Sequence, residues 1–128
     1  HARLNARIEP VAGSSRVRLL LEMVPDPEWH IYSLENTGAY KPTAITYSET
    51  THDVAAAGEP QEEGKKVTEF DEIMGGNLNY FHGTVVFSQE FTVTGKRPHI
   101  EGTIECQLCS GEKCILPVWE FKLDTKAK

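Results

Sequence analysis

Three cysteines crowd one stretch of the chain, Glu105-Cys106-Gln107-Leu108-Cys109-Ser110-Gly111-Glu112-Lys113-Cys114. Thiols this close can form a disulfide, share a metal ion, or sit unreactive in a core, and the elements around them decide which. Apolar and polar residues alternate up to Cys106 and again from Ile115, so two strands flank the cluster. Ser110-Gly111-Glu112-Lys113 suits a reverse turn, with Gly111 able to take a positive φ. Cys109 and Cys114 then face each other across the neck of a hairpin. Directly opposed residues on antiparallel strands lie about 4.5–5.5 Å apart at Cα, a span that a disulfide tolerates. Cys106 has the parity of Ile100 and Ile104, so its thiol is expected in the core as a small apolar group.

Other arrangements of the same residues stay open at this level. Cys106 and Cys109 form a C-x-x-C pair, but that motif gains reactivity from a helix N-terminus and here Ser110-Gly111 and a strand follow. C-x2-C-x4-C with His99 or His82 offers four zinc ligands, though no second ligand pair stands a loop away. A Cys109–Cys114 bridge could also be a passive staple in an immunoglobulin-like binding module of a secreted or surface protein. Closing so short a loop stabilises by only about 2 kcal/mol, a small gain for a domain with a full core. A short bridge at an exposed turn is better suited to being made and broken by an attacking thiolate, a chemistry that needs neither metal nor organic cofactor.

The elements that must hold this hairpin are strands. Val17, Leu19, Leu21 and Met23 share one face against Arg16, Arg18 and Glu22 on the other. Val85, Phe87, Phe91 and Val93 line a long segment after Gly83, and Trp119, Phe121 and Leu123 alternate with Glu120, Lys122 and Asp124. Shorter candidates run over 4–11, 29–34, 43–48 and 65–70. Turn residues fall between these runs, at Ala12-Gly13-Ser14-Ser15, Pro25-Asp26-Pro27, Gly75-Gly76-Asn77 and Gly95-Lys96-Arg97-Pro98 among others. About seven to nine short strands so spaced predict an all-β antiparallel sandwich.

Size and charge narrow the function classes. The chain has 128 residues, 13 Lys and Arg against 19 Asp and Glu, and a formal charge of −6. That length suits a single domain over 1–128, burying roughly two thirds of its unfolded surface. An acidic chain lacks the basic face that nucleic acid or an anionic membrane surface requires. No apolar run is long enough to span a bilayer. His1-Ala2-Arg3 opens without an apolar stretch, so an exported protein is expected to have lost its signal before this point. The acidic run 59–63 reads as a solvated loop. Trp29, Tyr32 and Tyr40 read as core or rim aromatics, and His30, His52, His82 and His99 as solvated side chains on separate segments. No Ser/His/Asp set and no phosphate-cradling Gly-rich loop stands out.

Residues 102–117, from Gly102-Thr103-Ile104-Glu105 through the cysteines to Ile115-Leu116-Pro117, resemble the redox segment of the N-terminal periplasmic domain of DsbD, a transmembrane thiol:disulfide reductase family (a disulfide bond corrector domain). Trp29-His30-Ile31-Tyr32-Ser33 with Pro42-Thr43, and Phe70-Asp71-Glu72-Ile73-Met74-Gly75 with Tyr80 and Gly83-Thr84-Val85-Val86-Phe87, are similar to further segments of that family in the same order. The resemblance implies an immunoglobulin-like β-sandwich in the periplasm. It implies a Cys109/Cys114 pair that takes electrons from a thioredoxin-like donor domain and passes them to a disulfide isomerase or a cytochrome-maturation thioredoxin. Carried over by position, Cys114 forms the mixed disulfides, Cys109 resolves them, and Asp71, Glu72, Ile73, Met74 and Gly75 form a cap over the pair. Cys106 stands where the family has an aromatic, which adds an extra thiol. Glu105, Glu112, Asp71 and Glu72 are expected to disfavour thiolates nearby, and Lys113 to favour one.

Overall fold

A strand with one apolar face is stable only when another layer covers that face, and two antiparallel sheets here cover each other. The computed structural model describes residues 1–35, 42–70, 77–111 and 113–125. Its strands are β1 (Ala2–Pro10), β2 (Arg16–Pro25), β3 (His30–Tyr32), β4 (Ala44–Tyr47), β5 (Val54–Phe70), β6 (Asn77–Val93), β7 (His99–Glu105), β8 (Leu108–Cys109), β9 (Cys114–Ile115) and β10 (Val118–Asp124). One sheet runs β1-β2-β6-β3-β8-β9, with β5 on the other side of β6; the second runs β10-β7-β4. This is the expected all-β, immunoglobulin-like sandwich. No helix among the described residues is long and apolar enough to cross a membrane.

The alternation read from the sequence is the alternation that is buried. Leu19, Leu21 and Met23 of β2 and Val85, Phe87 and Phe91 of β6 meet Ile100 and Ile104 of β7 and Phe121 of β10 in one core. β6 is the long member that organises the larger sheet. Its Tyr80 and Phe81 pair with β3, and Val85 to Thr92 pair with β2. Gly83 sits between the two halves with φ +81°. A glycine takes that conformation without strain, so the strand can change neighbours there and bring β3 into the sheet.

Two expectations fail where a charged or polar side chain is buried among partners, some of them brought by the fold from distant segments. The acidic run 59–63 is solvated as expected except at Glu62, but it lies inside β5 and not in a loop. Glu62 accepts from Ser33 Oγ at 2.5 Å and from the Leu34 N–H at 2.9 Å, and pairs with Lys66 at 2.9 Å. It thus ties the end of β3 to β5. His99 is not solvated either. It is only 8% exposed, with Nδ1 2.7 Å from Asp124, Nε2 3.0 Å from Glu101, and its ring stacked on His52 at 5.4 Å.

Hydrogen bonds to the Glu101 and Asp124 carboxylates hold the His99 imidazole above the ordinary histidine range, against burial, and the bond to His99 holds Glu101 low. A raised histidine contributes stability that is fully present below its unfolded value of 6.5 and is lost as pH rises through the folded value. The depressed Glu101 contributes above 4.5 and loses its share as pH falls through its folded value. Urea unfolding should therefore show the largest gap between the native chain and His99→Gln near pH 5.5, shrinking above roughly pH 7. A gap independent of pH would mean that the clamp is not ionic. Gly102 tests the smaller sheet, since a Cβ there would lie 2.1 Å from the Thr46 carbonyl oxygen and 3.1 Å from the Phe121 ring. Gly102→Ala should destabilise by about 3 kcal/mol and lower the melting midpoint by roughly 10 °C in calorimetry.

Candidate functional site

The cysteine hairpin is short and is anchored at its base. β8 and β9 are joined by only two register pairs, Leu108 with Ile115 and Cys109 with Cys114. The Ser110 N–H donates to the Lys113 carbonyl at 2.9 Å and so narrows the neck. Cys109 and Cys114 are bonded to each other, with their Cα atoms 4.1 Å apart. The cross-strand pairing expected from the turn is therefore present. Gly111 does not use a positive φ to make that turn.

β8 pairs on its other side with β3, Ile31 opposite Leu108 and His30 opposite Cys109. Ile31 and Leu108 point into the core and are fully buried, which fixes the hairpin to the sandwich. Alternation then turns Cys109 to the outer face, where it is only 6% exposed; Gln107 Nε2 lies 3.7 Å from its Sγ. Cys114 lies on β9, the last strand of the sheet, and is exposed, followed by Leu116 at 39% and Val118 at 52% exposure. The two bonded cysteines therefore differ in exposure, Cys109 buried and Cys114 exposed.

Cys106 is the free cysteine among the described residues, and it is wholly buried in the core, as its parity predicts. Desolvation pushes its thiol up to about 12, Glu105 adds to this, and a hydrogen bond with Thr43 opposes it. It is neither a C-x-x-C partner nor an available nucleophile in the folded chain. The zinc arrangement has no support in the donor geometry, since among the described residues no three ligating side chains gather. The cap residues Asp71, Glu72, Ile73, Met74 and Gly75 lie outside the described residues, as do Tyr40 and Glu112.

Sequence reasoning missed what stands beside the pair. His30 is half-buried, its ring 5.0 Å from Tyr80 and 4.9 Å from His82. Tyr80 donates to Glu69 at 2.9 Å; burial first, then that bond and the Glu69 charge, raise its pKa. An open groove of about 920 Å³ runs along the hairpin turn, bordered by Asp26, Glu28, Trp29, His30, His82 and Lys113. The available signal was the period of two in Trp29-His30-Ile31-Tyr32. It turns His30 outward, but nothing local shows that β8 will lie against it.

Comparison with known proteins agrees with this fold. Among solved structures, the chain is similar to the N-terminal periplasmic domain of ScsB from Proteus mirabilis, with a TM-score of 0.66 and 21% identity. That match covers 97% of this chain and 46% of that one, so the chain spans about half the length of its structural relative. It is also similar to the Neisseria meningitidis DsbD N-terminal domain in the reduced form, with a TM-score of 0.50 and 12% identity over 97% of this chain and 85% of that one. Comparison with curated protein sequences gives no match. Residues 5–126 match the family described as thiol:disulfide interchange protein DsbD, N-terminal, and with its paired cysteines on an immunoglobulin-like sandwich the chain belongs to that family of thiol:disulfide exchange domains.

Proposed function

We propose that this domain is an electron relay of the periplasm. It takes two electrons from a thioredoxin-like donor and hands them to periplasmic disulfide partners through Cys109 and Cys114. The observation that carries this reading is the unequal exposure of the two bonded sulfurs, Cys114 on an open sheet edge and Cys109 beneath the hairpin. In the oxidised domain a donor thiolate attacks Cys114 Sγ, the Cys109–Cys114 bond breaks, and Cys109 leaves as a thiolate. A second donor thiol then releases the reduced pair. In the forward direction the Cys114 thiolate attacks a partner disulfide, and Cys109 resolves the mixed disulfide. Family membership supports the thioredoxin-like class of partner, which includes a disulfide isomerase and a cytochrome-maturation thioredoxin. On the same grounds residues 71–75 shield the pair until a partner docks. Leu116 and Val118, exposed beside Cys114, supply apolar area for such docking.

Trapping tests the assignment of roles. Reduced Cys109→Ser mixed with an oxidised thioredoxin-like protein should accumulate a mixed disulfide at Cys114, visible by non-reducing electrophoresis and peptide mapping. Cys114→Ser should accumulate none. The Cys109–Cys114 couple should titrate above about −300 mV, since a value below that range marks a bond built to resist reduction. Such a value would turn the pair into a staple. In the reduced folded domain, iodoacetamide at pH 8 should modify Cys114 and leave Cys106 untouched until denaturant is added. Labelling of Cys106 at the rate of Cys114 would contradict its burial.

A further inference from the structure

We propose that His30 is the proton-exchange group for Cys109, accepting the thiol proton when Cys109 resolves a mixed disulfide and returning it when Cys109 is the leaving sulfur. The inference rests on the exchange reading above and adds to it a residue whose imidazole works on the less accessible sulfur. Two observations converge on it. His30 and Cys109 are direct register partners across β3 and β8, so their side chains rise from the same face of the sheet about 5 Å apart at Cβ. His30 Nδ1 is a buried nitrogen with no hydrogen-bond partner among the described residues. Buried polar atoms are normally paired, and an orphan asks for a reason. In the disulfide Cys109 has no proton to offer. On reduction it gains an S–H on the strand directly opposite, and the orphan nitrogen is a fitting acceptor.

The chemistry needs such a group more at Cys109 than at Cys114. Cys109 is only 6% exposed and has little direct path to water for its proton, whereas Cys114 is exposed and can exchange its proton with solvent. In resolution, the Cys109 S–H proton passes to Nδ1 and the Cys109 thiolate attacks Cys114 Sγ. The Cys109–Cys114 bond forms, the Cys114–partner bond breaks, and the partner sulfur leaves with the electron pair. The imidazolium then gives its proton to that thiolate or to solvent, so the pair is oxidised and the partner reduced with every proton placed. The groups around this imidazole are Tyr80 and His82 from β6, Cys109 from β8, Lys113 from the hairpin turn, and Asp26 and Glu28 across the groove. His82 is exposed and 4.9 Å from His30 by ring centroids, which gives the proton a short way to water.

The size of the effect is bounded by thiol chemistry. A thiol of pKa about 8.5 is roughly one thirtieth ionised at pH 7, so a base can accelerate attack there by up to about thirtyfold, and by nothing once the thiol ionises unaided. Reduced protein mixed with 5,5′-dithiobis(2-nitrobenzoate) in a stopped-flow instrument separates the steps. Cys114 releases one thionitrobenzoate on forming the adduct, and Cys109 releases a second on resolving it. In His30→Gln and His30→Phe, both checked for folding by thermal melts, the second release should slow about ten- to thirtyfold at pH 7. The defect should vanish above pH about 9, with the first release unchanged. A second release equal to that of the native chain across pH 6–9, or slowed by one factor at every pH, would overturn the role of His30. Release of no second thionitrobenzoate by the native chain would overturn the exchange reading itself, and the role of His30 with it.

Discussion

Ile31 and Leu108, both fully buried, face each other where β3 meets β8, and the placement of the whole site depends on that contact. β8 is two residues long and could not hold a position by its own ladder. Pinning Leu108 into the core fixes the register, and register in a pleated strand fixes faces. Slipped by one residue, Cys109 would point into the sandwich and Leu108 into water. The buried pair therefore turns the disulfide outward without any other device. β3 in turn reaches that place because β6 changes partners at Gly83 and because Glu62 accepts from the Ser33 hydroxyl and the Leu34 N–H.

From this one constraint come three thiol environments within a single short segment. Cys106, at core parity, is dry, and its proton is held so tightly that it behaves as an aliphatic group. Cys109 is on the outer face but lies under its own hairpin, between β3 and β9. Cys114 is on the terminal strand and meets solvent directly. Burial thus keeps Cys106 apart from the Cys109–Cys114 bond although it stands only three residues from Cys109. In-line displacement needs an open path to the attacked sulfur, which is why the exchange proposed above is assigned to Cys114 at the edge of the sheet, with Cys109 as the leaving sulfur.

How much of this could be read in the residues depended on the range of the interaction. Alternation is local, so the strands of Val17 to Met23, Ile100 to Cys106 and Trp119 to Leu123 and the fate of the Cys106 thiol were legible. The Cys109–Cys114 pairing was legible too, because a turn of four residues joins them. The acidic run 59–63 was misread, since its charge pattern is that of a loop and only Ser33, Leu34 and Lys66, from elsewhere in the chain or fold, make Glu62 structural. His99 was misread because Asp124 reaches it from β10; Glu101, two residues along the same strand, was the local half of the clamp. His30, expected to be solvated, is half-buried with its Nδ1 enclosed. Its neighbours Cys109, Tyr80 and His82 come from β8 and β6, and single-sequence patterns carry no information about which strands will be adjacent.

A bond that is to be broken in every turnover must not be one that the fold depends on. The loop closed by Cys109 and Cys114 is short, so its entropic contribution is about 2 kcal/mol, small beside the core. The bond also lies on the solvent side of Leu108 and Ile31, and its loss leaves that buried contact and the β3–β8 pairing in place. The two ends of the bond are held unequally: Cys109 lies between β3 and β9, whereas Cys114 lies on β9, which has two register pairs and no strand beyond it among the described residues. In the exchange proposed above, Cys114 is therefore the end that can shift toward a partner's sulfur without disturbing the buried Ile31–Leu108 contact.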